Sequence, residues 1–176
     1  KIGSKLFSLL ALINFSLILA LVPGLTSSCS TIQEKKLQLK GLTLIYKYKT
    51  AAGQELANIQ LQQVQLSEEQ VSQHLRSLKY EELSLFGKKK SVFSGENILR
   101  MTRLVTKAIN QAPADKIVYF DLNTPLGPTI GVVFASKNVL NWKFSSIQGG
   151  SFSNKSFASW GGSNWKLIRG PGQHYH

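Results

Sequence analysis

The chain has 176 residues, with 21 lysines and arginines against nine acids, a formal net charge of +12. Hydrophobic residues make up 43% of it, enough to build a core, which excludes the composition of a disordered polyelectrolyte. One cysteine excludes an internal disulfide framework, and the basic excess favours anionic partners.

In chain order, Lys1 and Lys5 precede a run from Leu6 to Val22 whose only polar interruptions are Ser8, Asn14 and Ser16. Pro23-Gly24 breaks the run, and Leu25-Thr26-Ser27-Ser28 leads into Cys29. A basic start, an apolar middle and a small-residue exit form the layout of a secretory signal. With its exit on the sole cysteine, the segment 1–30 resembles a bacterial lipoprotein signal, although Leu25 stands four residues before Cys29 where the usual box has leucine three before. The resemblance implies lipidation of Cys29 and a membrane anchor. Ser30, in place of an aspartate, implies sorting to the outer membrane, facing the periplasm, with the inner membrane as the alternative. Two other readings stay open. Leu6 to Val22 is 17 residues, the lower limit for an uncleaved membrane-spanning helix, and a plain secreted product is the third case. Removal of residues 1–28 takes away only Lys1 and Lys5 and lowers the net charge from +12 to +10. An exported protein meets lipid headgroups, lipopolysaccharide and acidic proteins, so no nucleic-acid partner is expected.

Residues 29–40 read as a lipidated N-terminus and polar tether, and 41–176 as one α+β domain. Leu42, Leu44, Tyr46 and Tyr48 alternate with more polar positions, the period of a half-buried strand. Ala51 to Gln54 supplies a turn, and Leu56 to Gln65 is predicted as a second strand with a bulge where its apolar parity slips. Ser67-Glu68-Glu69-Gln70 is a capping box, which predicts a short helix ending near Ser77. Tyr80 to Phe86 and Ser91 to Phe93 read as strands around the turn Gly87 to Lys90. Ser94 caps a longer helix to about Asn110, with Ile98, Met101, Leu104, Val105, Ala108 and Ile109 on one stripe. Ile117 to Leu122, Ile130 to Ala135 and Val139 to Phe144 follow as strands, joined by a loop at Pro125 to Pro128 and a turn at Ser136 to Asn138. Residues 149–164 are rich in Gly, Ser and Asn with aromatics between, the composition of a long flap, and Trp165 to Ile168 reads as a last strand. The expected fold is an antiparallel sheet of six or seven strands with two helices on one face, preceded by the apolar signal or anchor helix.

Few residues carry chemistry. The chain has three histidines, two of them among its last three residues, and neither a zinc-protease nor a serine-hydrolase motif. Gly87-Lys88 lacks the earlier glycine of a phosphate loop, since that position is Glu82. No metal site and no cofactor is expected. Asp121, on the polar face of its strand, has no evident second carboxylate for glycosidase chemistry. Two basic groups stand out: Lys88, Lys89 and Lys90 in one turn, and Arg100, Arg103 and Lys107, which recur at i, i+3 and i+7 and so stack on one helix face. Both are candidate anionic docking sites; solvated turn and helix charges are the plain alternative. Phe152, Phe157, Trp160 and Trp165 are candidate partner contacts, because large aromatics anchor interfaces. The sequence thus points to a non-enzymatic envelope lipoprotein that binds a protein partner or serves an envelope assembly. The rivals are a subunit of an integral membrane complex and a periplasmic hydrolase.

Overall fold

The structure is a computed structural model, and it describes residues 36–83, 87–151 and 165–174. Within these, two helices pack with a six-stranded antiparallel sheet and a smaller three-stranded one. Strands β1 (Lys36–Leu39) and β2 (Leu42–Tyr48) form a hairpin that pairs with β5 (Lys116–Thr124). The meander continues through β6 (Gly127–Ser136), β7 (Val139–Ile147) and the two-residue β8 (Gly150–Ser151). The sheet order is β1-β2-β5-β6-β7-β8. The second sheet, β4-β3-β9, is built from β3 (Lys79–Glu82), β4 (Lys89–Ser91) and β9 (Trp165–Ile168).

Helices α1 (Glu68–Ser77) and α2 (Gly95–Asn110) begin where their caps dictate. The Ser67 hydroxyl accepts from the Gln70 N–H, and the Gln70 side-chain oxygen accepts from the Ser67 N–H. Ser94 accepts from the Asn97 N–H in the same way, without the reciprocal half. Each cap contributes about 1 kcal/mol. The α2 stripe buries Ile98, Met101, Val105, Ala108 and Ile109 against Leu42, Leu44 and Tyr46 of β2 and Val118, Phe120 and Leu122 of β5. Burial of each such large side chain contributes roughly 1.5–3 kcal/mol. Tyr46 fixes the helix lengthwise, because its hydroxyl donates to the Ala108 carbonyl at 3.0 Å.

Phe93, Phe120, Trp142 and Phe144 form one aromatic cluster with ring centroids 5.8–6.3 Å apart. Gly131 makes room for it: a Cβ there would lie 2.8 Å from Phe120 Cζ.

Four expectations are corrected. The strand predicted over Leu56 to Gln65 does not form. Two short 3-10 turns (Lys49–Ala52 and Gln54–Leu56) are followed by an extended strap, tied to the sheet by Gln62 N–H donating to Ala135 O. The slipped parity there reflects two targets: Leu56, Ile59 and Leu61 pack with Ile117, Val132 and Phe134 on the sheet's other face, while Val64 and Leu66 join the main core. Lys36–Leu39, expected within the polar tether, is a strand with β2 as partner. Lys89 and Lys90 belong to β4, not to a turn. One sheet becomes two, because β9 pairs with β3 across more than eighty residues of sequence and not with the meander.

Gln148 joins the two sheets. It sits at φ 49 in the β7–β8 turn, accepts from the Tyr80 hydroxyl at 2.9 Å, and aims its amide N–H groups at the Ser91 and Val92 carbonyls. The Trp165 indole adds a second tie by donating to Gly150 O at 2.8 Å.

Candidate functional site

The lysines of the β3–β4 hairpin are not equivalent. Lys88 and Lys89 are exposed, whereas Lys90 lies 2.6 Å from Glu82 across the hairpin. That hydrogen bond holds the Lys90 ammonium above its ordinary pKa. Lys166 of β9 lies 3.1 Å from Glu81 on the neighbouring pair. Both acids of β3 are therefore matched, and among the described residues of the hairpin Lys79, Lys88 and Lys89 are left without an ion pair. Such exposed pairs add little stability, so their effect is to decide which charges remain available.

On α2, Arg103 and Lys107 are exposed on the side away from the core, and Arg100 is half-buried. Arg100 reaches the β1–β2 turn: a Cβ on Gly41 would lie 3.5 Å from its Nη2. None of the three makes an ion pair among the described residues. The hairpin lysines and the α2 cations stand on two separate elements joined by residues 92–94.

The aromatic candidates divide. Phe152, Phe157 and Trp160 lie outside the described residues, as do Cys29 and the apolar segment 6–22. Trp165 is described and is 6% exposed, a core ring that opens β9. His74 is half-buried on α1, and burial lowers its pKa. Asp121 lies on the sheet face opposite the helices, and its Oδ1 is buried without a hydrogen-bond partner. The neighbouring Tyr119 hydroxyl has a raised pKa, first from burial and then from the Asp121 charge.

Among the described residues, no three His, Cys, Asp or Glu side chains gather as a metal would require. No described helix is long and apolar enough to cross a membrane. A cavity of about 20 Å³ lies between the strap and the sheet, lined by Leu61, Val64, Pro113, Val118 and Phe134 among others. It has room for about one water and none for an organic substrate.

Sequence reasoning missed one surface. Leu99 is 75% exposed, Leu126 70% and Leu39 43%. The three are scattered in sequence but gather at one end of the sheet. Leu39 closes β1 beside the Gly41 turn, and the Asn123 N–H donates to Gly41 O at 2.8 Å. Leu126 is the tip of the β5–β6 turn that follows Asn123. Leu99 precedes Arg100, whose guanidinium lies on the Gly41 turn. The available signal was a leucine beside the Lys40-Gly41 turn and another inside Pro125-Leu126-Gly127, where turn chemistry favours polar residues.

The chain matches no protein-family model, no curated protein and no solved structure.

Proposed function

We propose that this protein is a non-enzymatic envelope lipoprotein, in which a lipid on Cys29 holds a small α+β domain at a membrane surface. The domain binds a protein partner there or serves as an accessory subunit of an envelope assembly. The observation that carries this reading is the order of charge, apolar run and small residues that ends on the sole cysteine. In the precursor, the apolar run forms a signal helix ahead of the domain. The periplasmic face of the outer membrane is the destination that Ser30 favours. The binding role is supported by the character of the described surface. Its notable features are cations without ion pairs and exposed leucines. Anionic lipid, lipopolysaccharide and acidic protein surfaces match that charge.

A second reading has its own support. The 17 residues from Leu6 to Val22 reach the lower limit of a bilayer span, so an uncleaved helix would make the protein a subunit of an integral membrane complex. Intact mass of the native protein separates the two. The lipoprotein reading expects loss of residues 1–28 and a mass increment of acyl chains on Cys29. It also expects Cys29→Ala to block maturation or release the protein from membranes. A full-length chain whose membrane fraction is untouched by Cys29→Ala would establish the helix anchor instead.

A further inference from the structure

We propose that the end of the domain formed by the β1–β2 turn, the β5–β6 turn and the start of α2 lies on an anionic phospholipid bilayer. Its apolar contacts are Leu39, Leu99 and Leu126, and its cations are Lys40, Arg100 and Arg103. The proposal rests on the membrane tether of the preceding reading and adds which face of the domain meets the lipid.

Three large leucines exposed at one end have no folding role that requires their exposure. Single exposed leucines are ordinary, but three held at one end by a backbone hydrogen bond and an arginine contact form a set. Leu99 and Arg103 are four residues apart on α2 and share a side of it. Arg100 lies across the Gly41 turn beside Lys40. The pattern is apolar tips rimmed by cations, which suits a layer where acyl chains begin and phosphates surround them. One acid, Glu96, stands in the first turn of α2, where it also complements the helix dipole.

The opposite end of the sheet provides an internal comparison. It also exposes apolar residues, Tyr48 and Val139, and carries Lys49 and Lys116. Lys49 and Lys116 are already engaged: Lys49 Nζ donates to Ile59 O at 2.9 Å, and Lys116 Nζ sits 4.6 Å from the Tyr48 ring centroid, which leaves Lys137 of the β6–β7 turn as the exposed cation beside Val139. At the proposed end, none of the three cations is in an ion pair or over a ring among the described residues. The larger set of unengaged cations, Lys40, Arg100 and Arg103 against Lys137 in the opposite turn, favours this end. The tether permits it, since the seven residues from Cys29 to Lys36 extend to about 25 Å at most.

The test uses the full chain with two kinds of vesicle, phosphatidylcholine alone and phosphatidylcholine with phosphatidylglycerol. Flotation reports association, and amide hydrogen exchange reports which surface is covered. The expected result is protection of residues 39–41, 97–103 and 124–127 on the anionic vesicles only, with 48–49 and 137–139 unchanged. Leu99→Glu with Leu126→Glu should abolish that protection. Reversal of Arg100 and Arg103 to Glu should lower partition into anionic vesicles at least about tenfold, since each cation near such a surface adds to the attraction. Flotation with the anionic vesicles alone, with the same protection, would support the docking face and remove the tether. Flotation with both kinds and equal exchange at this end would overturn the docking face and leave the tether standing. Protection at 48–49 and 137–139 instead would also overturn it, and no flotation with either kind would overturn both readings.

Discussion

Trp142 is held by shape and not by its hydrogen bond. Its ring lies 5.8–6.3 Å from those of Phe93, Phe120 and Phe144, yet its Nε1 is buried with no acceptor. A buried donor left unmade costs about 1–3 kcal/mol, while emptying a large aromatic site costs about 3–5 kcal/mol. Trp142→Phe keeps most of the stacking and removes the orphan donor, so it should stay within about 1 kcal/mol of the parent. Trp142→Ala should lose about 3–5 kcal/mol in denaturant unfolding. Equal losses in the two variants would show that the site requires the indole itself and not merely an aromatic ring. His74 gives a second residue-scale prediction. Burial lowers its pKa in the folded state, so between the folded and unfolded pKa values the unfolded chain binds more protons. The stability His74 contributes is therefore complete above its unfolded pKa of about 6.5 and is lost as the pH falls through the lower folded value. His74→Gln should flatten the part of the stability–pH curve that lies just below the unfolded pKa of about 6.5. A slope unchanged by the substitution would assign it to another group.

Among the elements, the β6–β7 turn carries a local conflict. Lys137 and Asn138 take φ 49 and 60, the left-handed pair of a two-residue hairpin turn. Asparagine tolerates that region, but lysine has no local hydrogen bond to recommend it there. Replacing Lys137-Asn138 by Asn-Gly should stabilise the domain by about 0.5–1 kcal/mol, read as a shift of the denaturant midpoint at constant slope. A lowered midpoint would mean that the Asn138 N–H bond to the Gln62 side chain had been disturbed. The same scale shows what was legible beforehand. The capping box at Ser67, the apolar stripe of α2 and the β5–β6–β7 alternation are each local, and each element formed where its own residues placed it. The strap at 57–66 was not legible as a strap. Its apolar residues look strand-like, but they serve two different clusters and have no ladder partner. The division into two sheets was illegible for the same reason, since the β3–β9 pairing is fixed only by tertiary contact. Of the basic candidates, the i, i+3, i+7 stack on α2 could be read from spacing. The withdrawal of Lys90 by Glu82 could not, because it depends on the register of β3 against β4.

The whole molecule is basic, and its acids are concentrated where they are already used. Glu55 pairs with Lys143, Glu81 with Lys166 and Glu82 with Lys90, while Glu68, Glu69 and Glu96 occupy the first turns of helices. The cations of α2 have no such counterparts among the described residues. If an anionic protein partner docks on that helix, reversal of Arg100, Arg103 and Lys107 to Glu should release it from solubilised membranes at low salt. The difference from the parent should shrink at high salt, because exposed charges are screened within about 8 Å at physiological ionic strength. Reversal of the exposed Arg103 and Lys107 alone should barely move the melting temperature, since exposed substitutions shift stability by about 0.5 kcal/mol or less, whereas the half-buried Arg100 also packs on the Gly41 turn. Identical co-purified partners at both salt concentrations would show that these three side chains are merely solvated.

The pairing of β2 with β5 and of β3 with β9 also sets a timetable. β5, β6 and β7 are contiguous and close through two-residue turns, so they can associate within microseconds of becoming available. β2 and both helices emerge earlier from any process that delivers the chain N-terminus first, and their apolar faces then have no sheet to cover. The interval lasts until residue 124 has arrived for β2, and until residue 168 for β3. At synthesis rates of about 5–20 residues per second, that is seconds of exposure for an amphipathic helix with a bare stripe. A chain delivered in this way keeps its first edges uncovered until its last strand arrives, and truncation before Trp165 would leave β3 with an open edge for another chain to fill.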